Sequence, residues 1–119
     1  MKLQKIYTAL RTSDLQAAEA WYTKLLGRRP DYRPMDTLVQ WELSDHGGVM
    51  LSTDAEIADK GVMFVVVDDL AAERRRLKGL GIVLGDDDQG DYSTLAQVRD
   101  PDGNVITLAS PPSRAYPPA

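Results

Sequence analysis

The stretch Met63-Phe64-Val65-Val66-Val67-Asp68-Asp69-Leu70 decides the fold, because it repeats an earlier one: Ile6-Tyr7-Thr8-Ala9-Leu10-Arg11, then Ser13-Asp14-Leu15. The Asp-Leu pairs at 14–15 and 69–70 lie 55 positions apart. Each closes an apolar strand-like run and opens a helical run, which ends at Leu25-Leu26-Gly27 in one half and Leu80-Gly81 in the other. Short strand-like runs follow each helix: around Tyr32, 37–43 and 48–52, then 82–84, 92–99 and 104–109. The pattern is two β-α-β-β-β units. Ser13 with Gln16 has the form of a capping box, Asp68 or Asp69 caps the second helix, and Gly27 and Gly81 suit the left-handed residue that ends a helix.

Composition bounds the chemistry. The 119 residues are enough for one domain with a real core, expected over 1–110 with halves 1–55 and 56–110, followed by a Pro-rich tail at 111–119. A formal net charge of −4 argues against nucleic acid as a partner, because phosphate binding needs a basic face. Without cysteine there is neither a disulfide nor a thiolate metal site. The apolar run 62–67 is too short to cross a bilayer, and 1–5 lack the apolar stretch of a signal peptide, so a cytoplasmic chain with no membrane partner is expected.

Three motif look-alikes carry no function. Gly79-Leu80-Gly81 follows a helix and enters a strand, the reverse of a dinucleotide fingerprint. Asp100-Pro101-Asp102-Gly103-Asn104 starts like a calcium loop, but its Gly comes too early and Pro111 stands where the bidentate Glu belongs. The hairpin reading suits it better, with Pro101 pre-setting the turn and Gly103 supplying a positive φ. Arg74-Arg75-Arg76 reads as a solvated helix face, and Asp86-Asp87-Asp88 as a solvated loop or an acidic rim that attracts a cationic ligand. His46, the single histidine, sits in the turn Ser44-Asp45-His46-Gly47-Gly48.

The paired units, the Trp21-Tyr22-x-x-Leu25-Leu26-Gly27 helix end and the Asp100–Asn104 hairpin together resemble the vicinal-oxygen-chelate superfamily. It includes glyoxalase I, extradiol dioxygenases, and bleomycin- and fosfomycin-resistance proteins. The resemblance covers residues 3 to 110 and implies an α+β fold: two paired β-α-β-β-β units form a curved half-barrel of mixed sheet, with helices on its convex side. It also implies a homodimer in which two chains complete each other's cavities. The superfamily's metal enzymes place His, Glu or Gln on the first and last strands of each half. The matching positions here are Tyr7, Met50, Val62 and Thr107, a poor set for a divalent ion, so neither a metal nor another cofactor is expected.

Strand alternation turns Tyr7, Arg11, Met50, Val62, Phe64, Gln97 and Thr107 toward the cavity, with Tyr92 near its mouth. For 37–43 two parities stand open: either Trp41 faces in, or Gln40 and Glu42 do. The expected ligand-binding set is therefore Tyr7, Arg11, Trp41, Met50, Val62, Phe64, Tyr92, Gln97 and Thr107, with no catalytic residue assigned. Such a lining suits capture of a hydrophobic or aromatic, antibiotic-like molecule, as in the bleomycin-resistance proteins. The alternative is a divergent glyoxalase- or dioxygenase-like enzyme (lyase, isomerase or oxygenase) whose metal site lies at other positions, or a metal-independent member that uses Tyr7, His46 or Glu42 as acid–base groups.

Overall fold

A computed structural model describes residues 2, 4–53 and 60–118. Its elements run β1 (Ile6–Arg11), α1 (Leu15–Leu26), β2 (Tyr32–Met35), β3 (Leu38–Ser44), β4 (Gly47–Ser52), β5 (Val62–Val66), α2 (Leu70–Gly79), β6 (Asp88–Gln89), β7 (Thr94–Arg99) and β8 (Val105–Ala109). The described strands form two four-stranded mixed sheets, β1-β4-β3-β2 and β5-β8-β7-β6, each open rather than closed into a barrel. In each sheet the first strand pairs in parallel with the last, and the remaining pairs are antiparallel. The repeat seen in the sequence is thus a repeat of topology. The expected boundary between 55 and 56 lies outside the described residues.

Local chemistry sets the helix ends, with one change from expectation. Asp14, not Ser13, caps α1: its carboxylate accepts from the Ala17 N–H at 3.1 Å. Ser13 is engaged elsewhere, since its N–H and hydroxyl both donate to Asp102, at 2.9 and 2.8 Å. Asp69 caps α2 in the same way, accepting from the Ala72 N–H at 2.9 Å. Gly27, at φ 75°, turns the chain out of α1, and Gly81, at φ 85°, does so after α2.

The run 82–84 forms no strand. Ile82 and Leu84 are buried and Val83 is exposed, so the alternation is real. It reports burial of one side and not a ladder partner, and the fourth strand of that sheet is the two-residue β6.

A single core joins the halves. Leu10, Val39, Trp41, Val49 and Leu51 of the first sheet, Tyr22 and Leu25 of α1, Leu77 of α2, and Met63, Ala96, Ile106 and Leu108 of the second sheet all belong to it. Polar bonds fix how they meet. The buried Asp100 carboxylate accepts from the Tyr22 hydroxyl (2.7 Å), the Asn104 amide (2.7 Å) and the N–H groups of Asp102 (2.9 Å) and Asn104 (2.8 Å). Asp102 accepts from the Thr12 hydroxyl at 2.6 Å, and Asn104 donates to the Arg11 carbonyl at 3.0 Å.

The basic run on α2 is more than a solvated face. Arg76 donates to the Lys24 and Leu25 carbonyls at the end of α1, at 2.9 and 2.6 Å, and Arg74 pairs with Asp87 of the acidic loop at 2.5 Å.

Removing one donor leaves the Asp100 carboxylate short of a partner in a dry site. Tyr22→Phe should lower the unfolding free energy by about 1–2 kcal/mol, and Asp100→Ala by about 3 kcal/mol, in urea denaturation. Unaltered midpoints in both variants would show that the hairpin does not lock the halves.

Candidate functional site

Each sheet turns one side to the shared core and leaves the other side open. On the first sheet the pairing arranges the open side in three rungs: Tyr7–Gly48–Glu42, Ala9–Met50–Gln40 and Arg11–Ser52–Leu38. This settles the parity of β3. Gln40 and Glu42 share the face of Tyr7, whereas Trp41 belongs to the opposite side. Trp41 is fully buried, packs on Tyr22 with ring centroids 6.2 Å apart, and donates its indole N–H to the Arg28 carbonyl at 2.9 Å. Its place in the expected binding set is therefore corrected. The apolar faces of Val39 and Trp41 go with those of Val49 and Leu51, and together they outweigh the attraction of an aromatic residue to a cavity.

The first rung is built around a missing side chain. Strands two apart are separated by roughly 9.6 Å, and Gly48 lies between Tyr7 and Glu42 with nothing to obstruct them. The Tyr7 hydroxyl crosses this gap and lies 2.7 and 2.9 Å from the two Glu42 oxygens. Only glycine fits there, because a Cβ on residue 48 would stand 1.8 Å from the Trp41 carbonyl oxygen. The Gln40 amide donates to Glu42 at 2.9 Å, and Lys5 pairs with it at 3.4 Å.

Titration follows from these bonds. The Tyr7 hydroxyl first, and the Gln40 amide next, hold the Glu42 carboxyl below the usual carboxylate range. The same bond to Glu42, with burial, pushes the Tyr7 phenol up. At neutral pH the pair is a phenol donating to a carboxylate. Neither partner is tuned toward the pKa near neutrality that favours proton transfer.

On the second sheet the open rungs are Val62–Val105–Arg99, Phe64–Thr107–Gln97 and Val66–Ala109–Leu95. Gln97 donates to the Thr107 hydroxyl at 3.0 Å, and Thr107 is buried. Val62, Phe64 and Val66 stand out along the sheet edge, 67%, 59% and 52% exposed. The structure thus groups Tyr7, Arg11 and Met50 on one face and Val62, Phe64, Gln97 and Thr107 on the other.

Tyr92 lies under the tail. Its carbonyl accepts the Ser113 N–H at 2.7 Å, Arg114 stacks 4.6 Å from its ring centroid, and the Tyr116 ring lies 4.8 Å away. His46 is exposed in its turn and borders an open cleft of about 330 Å³ between Ile6 and Phe64.

The donor set does not fit a metal. A phenol committed to Glu42, a thioether, an isopropyl group and a hydroxyl bonded to Gln97 stand at the four positions to which the resemblance points. Among the described residues, no group of three or more His, Asp or Glu side chains is arranged to hold an ion.

Residues 7–109 match the family described as a glyoxalase-like domain, and the chain belongs to that family. Its fold is that of the glyoxalase/bleomycin-resistance proteins of the vicinal-oxygen-chelate superfamily. One such protein, from Catenulispora acidiphila, superposes with a TM-score of 0.82 at 25% identity, over 93% of this chain and 100% of that one. TnmS3, an antibiotic-binding protein from a Streptomyces species, gives 0.75 at 23% identity, over 93% and 96% of the two chains. A lactoylglutathione lyase from Agrobacterium tumefaciens gives 0.73 at 23%, over 88% and 91%. No curated protein matches the sequence.

The Tyr7–Glu42 bond has a spectroscopic consequence. In an ultraviolet titration of phenolate absorbance, Glu42→Gln should move one tyrosine to lower pH, because the carboxylate that disfavours the phenolate is gone. The same titration curve in both proteins would show the bond is not formed. Acid stability carries the matching sign. Glu42, Asp31 and Asp102 all titrate below their ordinary values when folded, so their contribution is present above the unfolded carboxylate range and is lost as pH falls through the lowered values. The urea midpoint should be level near neutrality and drop below about pH 4.5. A midpoint that holds steady to pH 3 would contradict this.

Proposed function

We propose that the protein binds a small hydrophobic or aromatic molecule, of the antibiotic-like kind, and acts by sequestration without a metal or other cofactor. The observation that carries the reading is the chemistry of Tyr7, Met50, Val62 and Thr107, which replaces a set of ion-holding groups with apolar and neutral ones. The named antibiotic binder among proteins of this fold supports it. An acid–base enzyme is the weaker reading, since Glu42 is held ionised and Tyr7 protonated. Resistance to a toxic compound inside the cytoplasm is the setting the capture reading implies. Among the described residues, no helix is long and apolar enough to cross a membrane.

The reading includes a second copy of this chain as partner. Among the described residues β1 and β5 each stand at the edge of their sheet, and Ile6, Val62, Phe64 and Val66 project apolar side chains beside them, each more than half exposed. Two chains that set β1 of one beside β5 of the other would cover both edges and complete a hollow from the two open faces.

Equilibrium dialysis against a panel of aromatic antibiotics, with mass spectrometry of what is recovered, tests the function. The expected result is saturable binding of about one molecule per chain, recovered with its mass intact. A changed mass in the recovered compound would overturn sequestration. Sedimentation velocity tests the partner: the wild type should run as a dimer, and Phe64→Glu should weaken association by at least about tenfold. A wild-type monomer at high concentration would refute the pairing.

A further inference from the structure

We infer that the open face of the first sheet is selective for ligands with an ammonium group, held by Glu42 in the place where the Lys5 ammonium now lies. This rests on the capture reading above and specifies its ligand class.

Glu42 is a partly buried anion, its side chain 18% exposed, on a face whose middle rung is Ala9, Met50 and Gln40. The Tyr7 hydroxyl and the Gln40 amide bind it at 2.7–2.9 Å, and its backbone N–H donates to Asp31 at 2.7 Å. The carboxylate is therefore fixed before any ligand arrives, and little ordering cost remains to be met on binding. Its cationic partner is loose by comparison. Lys5 Nζ lies 3.4 Å from Oε2 with its side chain 43% exposed, outside the 2.7–2.9 Å typical of a tight charge-assisted bond. Lys5 comes from just before β1 and marks where a primary amine sits when it meets this carboxylate. A ligand amine can displace it, since a flexible, solvated lysine gains little from an exposed pair.

The rest of the face sets the ligand's shape. From Tyr7 the strand runs through Ala9 to Arg11, and four residues of strand span about 13 Å. An apolar body lies along Ala9 and Met50, next to the amine. Glu42 repels a carboxylate at its own end of the face. The selectivity comes from one fixed anion beside the apolar side chains of Ala9 and Met50.

The matched probes 4-phenylbutylamine and 4-phenylbutan-1-ol, with nearly the same length and body, isolate the charge. Their affinities are read by chemical-shift titration with the full chain, and thermal melts confirm that each variant is folded. The wild type should prefer the amine by about tenfold. Glu42→Gln should bring the two probes level, and Lys5→Ala should widen the preference several-fold by removing the internal competitor. If both probes bind the wild type equally, the ammonium inference falls and the capture reading stands. If Lys5→Ala narrows the preference, Lys5 is not the competitor and the inference is overturned. If neither probe binds at millimolar concentration, the capture reading fails and takes this inference with it.

Discussion

The Asp100 carboxylate is the constraint on which the arrangement of the two halves depends. It is buried, yet each oxygen accepts two hydrogen bonds, one set from its own hairpin and the other reaching Tyr22 on α1. A charge in such a place is tolerable only when every lone pair is met. Meeting them ties residues far apart in sequence: Tyr22 of the first half to Asp100 and Asn104 of the second, and through Asn104 to the Arg11 carbonyl at the end of β1. Arg76 adds a second tie by meeting the carbonyls that α1 leaves open. The helix-bearing sides of both sheets are thereby turned into one core, and the other sides are left available.

What those sides can do follows from which side chains remain. On the first sheet a glycine in the central strand opens a gap, a tyrosine crosses it, and a glutamate is held as a fixed anion beside an apolar strip. On the second, three exposed apolar residues follow one another along an edge strand. The Tyr7 hydroxyl and the Gln40 amide hold the Glu42 carboxyl below the usual carboxylate range. The proposed capture would draw on the Glu42 anion beside Ala9 and Met50 on one face and on the exposed Val62, Phe64 and Val66 on the other.

Much of this was legible in the residues. The 55-position repeat, the helix ends and the apolar alternation carried the two-unit topology, because backbone periodicity is local and redundant. The turn Asp100–Asn104 was readable as a hairpin, but its role as a lock was not, since nothing local says that a carboxylate will meet a tyrosine 78 positions away. Trp41 misled for a related reason: an aromatic suits both a core and a cavity, and only its register against Val49 decides. The polar members of that strand, Gln40 and Glu42, carried the signal, alternating with Val39 and Trp41 in the way of a half-buried strand. Ile82 and Leu84 showed that alternation marks a buried side even where no ladder forms. The tail reads as extended from its prolines, yet Arg114 and Tyr116 lay part of it against Tyr92.

The most direct measurement of the central claim is elemental analysis of protein purified without chelators and then offered zinc, nickel, manganese and iron in turn. Phenol, thioether, isopropyl and hydroxyl groups at the four matching positions predict far less than one ion per chain for every metal. One tightly held equivalent of any of them, released by a chelator together with a catalytic activity, would contradict the account.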